Sequence, residues 1–368
     1  MYLSLIIICI LLYYFSNSKL DKKVIKRYII FVTVLLVTVS GLRHEAVGND
    51  TLAYMRHFDK IVDLSWSEIF DGFWDAYLNP GYSENGKDPG EVVIIKLLTY
   101  IVPDSRTFLF VSAALLLVPL AVFVYRYSDS LETPCFFYVF YITMFYAYLP
   151  NSAIRQSFAL AVLLIGYMLL QKRKLFKFLV CLFLASLIHK SSSIAIMMLP
   201  FYYFKNTKAM YYWSLLLFLV MLFTYEYIGL FLSMQNEIYE QYGTGAYYLR
   251  GNTAPYMVIV LMTGLYLLGL FGINKDKDVY DKRLIYGGSA MSLVWVVMVR
   301  LDPSIIRLVA YFGVWMGLMV PSVTKLWTKK FFYPILFIIL LIFIIRAIIT
   351  PDNYGFFWEY MQLHERYR

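Results

Sequence analysis

Charge is scarce in this sequence, and so are cysteine and histidine. Asp, Glu, Lys and Arg make up 15% of the 368 residues, against 61% hydrophobic, where soluble domains carry roughly 25% charged and 45–50% apolar residues. So little charge excludes an ordinary soluble domain, and a mean hydropathy of +0.64 agrees. The chain reads as an integral membrane protein. Cys9, Cys135 and Cys181 all sit inside apolar runs, and an odd, buried set gives neither a disulfide framework nor a metal knuckle. They read as packing residues. The four histidines, His44, His57, His189 and His364, are scattered, and no HExxH motif or clustered His/Cys set appears, so neither a metal nor a cofactor is expected.

What is present is a succession of apolar runs separated by short charged clusters. Each run must satisfy its own backbone in lipid, which predicts helices. The formal charge of +9 does not require nucleic acid, because in a multi-pass protein a basic excess belongs beside anionic cytoplasmic lipid. The basic clusters KLDKKVIKR (19–27), Arg126, QKRKLFK (171–177), KNTK (205–208), KDKDVYDKR (275–283) and KLWTKK (325–330) therefore orient the chain with these six points in the cytoplasm.

Charge-poor runs at 1–18, 28–42, 107–125, 133–154, 156–171, 178–188, 191–204, 209–225, 251–274, 284–299, 308–324 and 331–345 then predict an all-α fold of about 12 transmembrane helices, with both termini outside. The first run has no basic n-region and no small-residue cleavage site, so it reads as a retained helix. The apolar segment 92–102 is too short for the roughly 20 residues a span needs and would break the alternation. It reads as re-entrant or interfacial on the outer face. At 66–78, Trp66, Ile69, Phe70, Phe73, Trp74, Tyr77 and Leu78 recur at helical spacing opposite Glu68, Asp71 and Asp75, predicting an amphipathic helix on the outer surface. One membrane domain over 1–368, with outer loops at 43–106 and 233–253, accounts for the whole chain.

This topology separates the two cations. The cytoplasmic clusters hold 19 basic residues, only four of them arginine, whereas ten of the other 14 are arginine. Orientation needs only positive charge, while the planar guanidinium fork suits bidentate phosphate recognition. The outer face, with Arg43, Arg155, Arg250, Arg300 and Arg307, thus looks built for phosphate. An isolated arginine such as Arg346 is accounted for by snorkelling to headgroups. Arg155 stands between two apolar runs, where a cation costs up to roughly 2.5–3.5 kcal/mol on insertion scales and marks a functional site.

Three motifs carry a family resemblance. GLRHEAVGNDTLAY (41–54), NSAIRQSFALAV (151–162) and ASLIHKSSSIAIMMLP (185–200), in that order, resemble the EpsG family of bacterial exopolysaccharide polymerases, related in role to Wzy-type O-antigen polymerases. The later RLVAYFGVWMGLMVP (307–321) is similar to the family's arginine-plus-aromatic segment. Arg43, Gly48, Asp50 and Tyr54 match the first motif, Asn151, Arg155 and Gln156 the second, and His189 and Ser191, with Lys190 between them, the third.

The resemblance implies a glycosyltransferase of the inner membrane that joins undecaprenyl-diphosphate-linked oligosaccharides on the extracytoplasmic side, and it admits a GT-C-like architecture. It also implies flippase and chain-length regulator proteins as partners alongside the lipid bilayer. Such a reaction needs a binder for diphosphate charge, a proton acceptor and a place for sugars. Arg43, Arg155, Arg300 and Arg307 are the expected diphosphate ligands, and Tyr54, Asn151, Gln156, Lys190, Ser191 and Arg250 the expected positioning residues. Asp50 is one candidate acceptor, and a loop-capping aspartate paired with Arg43 is its structural alternative. His189 is the other, since histidine titrates near operating pH, and a helix-packing histidine is its alternative. Tyr239, Tyr242, Tyr247 and Tyr248 of the loop 237–252 suit either a sugar-binding lid or an interfacial belt. Two other classes compete: a lipid-oligosaccharide flippase, and a monosaccharide transferase or acyltransferase using a different donor. The nearly uninterrupted apolar cytoplasmic halves disfavour the flippase.

Overall fold

A computed structural model describes residues 1–16, 20–78, 88–235, 254–301, 305–326, 329–349 and 353–363. Among these there are helices and one isolated antiparallel bridge, but no strand. Six helices are long and apolar enough to cross a membrane: Lys22–Gly41, Ser105–Tyr127, Ile154–Gln171, Thr207–Phe231, Tyr256–Ile273 and Ile306–Thr324. Shorter apolar helices cover Tyr2–Tyr14, Leu175–Ile188 and Tyr333–Ile349. Many outward side chains on these helices are apolar, among them Phe31, Val118, Phe183 and Phe223, as expected where lipid is the solvent.

The chain divides into two compact units, Met1–Ile194 with Leu340–Arg368, and Ala195–Ile339. The first contains α1 (Tyr2–Tyr14), α2 (Lys22–Gly41), α3 (Thr51–Val62), α4 (Trp66–Phe70), α5 (Phe73–Leu78), α6 (Pro89–Thr99), α7 (Ser105–Tyr127), α8 (Glu132–Tyr141), α9 (Leu149–Ser152), α10 (Ile154–Gln171) and α11 (Leu175–Ile188). Here α7 packs on both α2 and α10, α10 runs along α11, and α6 touches α3 and α11. Local chemistry sets several boundaries. Asp21 caps α2 through the Lys23 amide and Asp104 caps α7 through the Thr107 amide, each at 2.8 Å, satisfying amides that have no partner inside the helix.

The second unit holds α12 (Leu199–Tyr203), α13 (Thr207–Gln235), α14 (Ala254–Ile273), α15 (Arg283–Val296) and α16 (Ile306–Thr324). Its core stacks Tyr211 on Tyr266 at 4.3 Å between ring centroids and encloses Trp315. A cavity of about 520 Å³ lies among Phe201, Phe204, Met210, Trp213 and their neighbours. A further helix, α17 (Lys329–Ile349), follows α16.

Three elements differ from the sequence expectation. The segment 66–78 is two short helices. A capping box between Ser65 and Glu68 starts the first, and Asp71 leaves helical geometry for an extended conformation that ends it. The run 133–154 is α8, a π-helical stretch Ile142–Tyr146 and then α9, with Pro150 in α9 and a non-helical Ala153 before α10. The run 191–204 is a 3₁₀ helix, Lys190–Met198, followed by α12. Both interruptions adjoin motif residues, and irregular helix is common at functional sites.

Candidate functional site

The first and second motifs meet through Asn151. Its side-chain oxygen accepts from Ser40 Oγ at 2.8 Å, its carbonyl accepts from Thr51 Oγ1 at 2.7 Å, and Ser152 Oγ accepts from the Asn49 amide at 3.2 Å. Gly48 lies in the left-handed region at φ +78°, where a Cβ would stand 2.5 Å from the Asn151 carbonyl oxygen. Only glycine lets the loop lie this close.

Arg43 is fully buried here. Nε donates to Thr51 Oγ1 at 3.2 Å, and Nη1 donates to the Ser40 carbonyl and hydroxyl. Its backbone bridges to Phe356, with His44 N donating to the Gly355 carbonyl at 2.7 Å and Phe357 N to the Leu42 carbonyl at 2.9 Å. Arg106 Nη1 donates to the Arg43 carbonyl at 2.6 Å. Burial pulls the Arg43 guanidinium down to about 10, which leaves it charged at neutral pH.

The second and third motifs meet through residues outside all three. Asp88 and Glu91 stand at the start of α6, in DPGE. Pro89 occupies the first turn, as suits a helix N-terminus, and Asp88 is the N-cap residue. Its side chain nevertheless makes no cap hydrogen bond, although such a bond is commonly worth ~0.5–2 kcal/mol. The carboxylate instead turns outward. Oδ2 is 2.9 Å from His189 Nδ1 and 3.3 Å from Arg155 Nη1, and Oδ1 accepts from the Lys190 amide at 3.3 Å. Glu91 Oε2 lies 3.6 Å from Arg155 Nε, which also donates to Tyr54 Oη at 3.3 Å.

The backbone dictates this meeting. A Cβ on Gly90 would fall 2.7 Å from the Leu187 carbonyl, so α6 can lie against the end of α11 only with glycine there. That contact brings Asp88 to His189, the residue that ends α11 in an extended conformation.

The cluster is enclosed but reachable. The Asp88 and Glu91 side chains are 6% and 2% exposed, against 31% for Arg155 and 27% for His189. The two carboxyls are pushed apart in acidity. Burial drives Glu91 up to about 8, against the opposing pull of Arg155 and with help from Asp88. Burial also acts to raise Asp88, but the hydrogen bonds from His189 and the Lys190 amide and the charge of Arg155 outweigh it and hold the group below the usual carboxylate range. At neutral pH Asp88 is thus ionised and Glu91 protonated, the separation expected where two acids take different roles. His57 is pulled down to about 4 by burial, then by Arg155 and Lys60, so it stays neutral.

A family model described as the EpsG family matches residues 26–361. The chain belongs to the EpsG family. Comparisons with curated proteins and with solved structures returned no match.

Within this EpsG-family chain, the structure gathers Tyr54, Arg155, His189 and Lys190 at one place, with the Lys190 ammonium 5.0 Å from the Tyr77 ring centroid. Asp50, the N-cap residue of α3, makes no side-chain cap bond. Gln156 is buried one residue beyond Arg155, and Ser191 is partly exposed in the 3₁₀ helix. Arg300 and Arg307 belong to the second unit, Arg300 with its guanidinium 4.1 Å from the Tyr225 ring centroid. Arg250, the tyrosines of loop 237–252 and His364 lie outside the described residues. Among the described residues no group of three or more His, Cys, Asp or Glu is placed to hold a metal ion. Asp276 and Asp278 have the spacing of a metal-binding DxD triplet, but Asp276 is buried with Lys282 Nζ 3.1 and 3.0 Å from its oxygens and Tyr286 Oη donating at 2.8 Å.

Sequence reasoning passed over Asp88, Glu91 and His57. An Asp-Pro-Gly-Glu string signals a turn into a helix, and nothing in it states that the carboxylates point away from that helix.

Proposed function

We propose that this chain is a polysaccharide polymerase that joins undecaprenyl-diphosphate-linked oligosaccharide repeat units at the extracytoplasmic face of the bacterial inner membrane. A sugar hydroxyl of one unit attacks the anomeric carbon of another, the bond from that carbon to the diphosphate breaks, and undecaprenyl diphosphate leaves. The observation that carries the reading, beside family membership, is Arg155. It is a permanent cation with its side chain 31% exposed, fixed by Asp88, Glu91 and Tyr54 beside His189. A preorganised guanidinium stabilises charge developing on a leaving diphosphate, so the reading gives charge neutralisation to arginine without a metal. Lys190 and Tyr54 then position substrate. Arg43, enclosed with Ser40 and Thr51, holds the loop that leads into α3, the helix that carries Tyr54. Arg250, Arg300 and Arg307 enter the reading as further diphosphate contacts, and Asn151, Gln156 and Ser191 as supports of the site.

The test is the sidedness of single repeat units in a strain lacking the chain. Units should accumulate unjoined yet accessible to an impermeant glycosidase or lectin, and wild type should restore polymer. Arg155→Lys should restore at least about tenfold less, a loss of ~1.4 kcal/mol of transition-state stabilisation, at normal protein levels. Units shielded from the probe would point to a flippase and overturn the polymerase reading.

A further inference from the structure

Asp88 makes three acceptor contacts, with His189 Nδ1, Arg155 Nη1 and the Lys190 amide as the donors. An ionised carboxylate can only accept. His189 must therefore carry its proton on Nδ1, and in the neutral ring the lone pair is then on Nε2. Nε2 has no hydrogen-bond partner among the described residues, and the ring is 27% exposed. One oxygen, Asp88 Oδ2, contacts both His189 at 2.9 Å and Arg155 at 3.3 Å, so it fixes the imidazole and the guanidinium relative to each other.

We propose that Asp88 is the positioning carboxylate of a proton acceptor, His189, whose Nε2 takes the proton of the attacking sugar hydroxyl. This assignment rests on the polymerase reading above, and it selects His189 over Asp50 as the acceptor. The balance closes within the site: the hydroxyl oxygen forms the bond to the anomeric carbon, its proton moves to Nε2, and the electron pair of the broken bond leaves on the diphosphate facing Arg155. The imidazolium so formed lies against the ionised Asp88, which offsets its charge. Asp88 touches no substrate in this scheme; it sets the tautomer and the direction of the ring. His189 contacts Asp88 from α6 and adjoins Lys190, which lies over Tyr77 from α5; Asp88 in turn holds Arg155 from α10, beside which stand Glu91 from α6 and Tyr54 and His57 from α3.

The experiment uses the purified full-length chain in lipid nanodiscs and, as substrate, lipid-linked units extracted from the strain that lacks it. Asp88→Asn should lower kcat by at least about 100-fold with KM changed by less than about threefold and thermal unfolding within a few degrees of wild type. His189→Gln should do the same. Because the two act as a unit, the double variant should be no slower than the slower single. Histidine-nitrogen NMR should place the His189 proton on Nδ1 in wild type and lose that preference in Asp88→Asn. An Asp88→Asn chain that keeps kcat and loses only KM or stability would overturn the assignment, as would losses that multiply in the double variant. Should Asp88→Asn not fold, full kcat in a stable His189→Gln chain or an Nε2-protonated ring in wild type would overturn it equally. A wild-type chain that makes no polymer would bring down the polymerase reading itself, whereas polymer from wild type with an unaffected His189→Gln would sink the dyad alone.

Discussion

Glu91 is the residue at which acidity and binding meet. Held up to about 8 mainly by burial, it is neutral at pH 7, so Arg155 faces one negative carboxylate, Asp88, instead of two. A raised carboxyl keeps its proton until the pH passes its own value. Above about 8, therefore, a second negative charge appears beside the guanidinium, and attraction for a diphosphate falls. Tyr54, which also contacts Arg155, is pushed up from its ordinary value by burial and does not ionise in that window. The expected outcome is a KM for lipid-linked units that climbs as pH is raised through 8 in wild type and stays level in Glu91→Gln. Matching profiles for the two chains would remove Glu91 from the binding of diphosphate.

Elements make the site by approaching one another, and two glycines, Gly48 and Gly90, set how near they come. Gly90→Ala would drive a methyl into the Leu187 carbonyl at 2.7 Å, at a cost of about 1–3 kcal/mol if the neighbours shift. Displacing α6 from α11 separates Asp88 from His189. Both the unfolding temperature and polymer formation should fall, while Gly264→Ala, where a Cβ meets nothing within 4 Å, should change neither. The same contact explains what the sequence could and could not disclose. Arg155 and His189 were legible because one interrupts apolar runs and the other sits in a recognisable motif. The all-helical membrane character was legible from hydropathy. Asp88 and Glu91 were not, because their partners come from α10 and the end of α11, and a periodicity argument sees only one element at a time. The break of 66–78 into two helices was equally hidden: the apolar spacing continues across Asp71 and Gly72 while the backbone does not.

For the molecule as a whole, the arrangement of basic clusters makes a claim about sidedness that the first unit can test by itself. Lys23 lies in the first turn of α2 and the Arg43 loop follows its other end, with about 30 Å of 20-residue helix between them. Ser67 is exposed in α4. In a background with the native cysteines replaced, Ser67→Cys should react with an impermeant maleimide on intact cells, and Lys23→Cys only after permeabilisation. The opposite pattern would invert the orientation and put the proposed site in the cytoplasm.

The bridge between Arg43 and Phe356 has a bearing on biogenesis. Tyr354 Oη donates to the Val39 carbonyl at 2.5 Å across 315 positions of sequence, so the turn bearing the first motif is fastened by a segment translated long after it. Until that stretch leaves the ribosome and reaches the correct side of the bilayer, the Arg43 loop lacks these ties, and the nascent protein is already threaded through the membrane without a finished site. Maturation of activity should then lag insertion, and a bulky fusion placed directly after Gln362 should delay or abolish the first without altering the second.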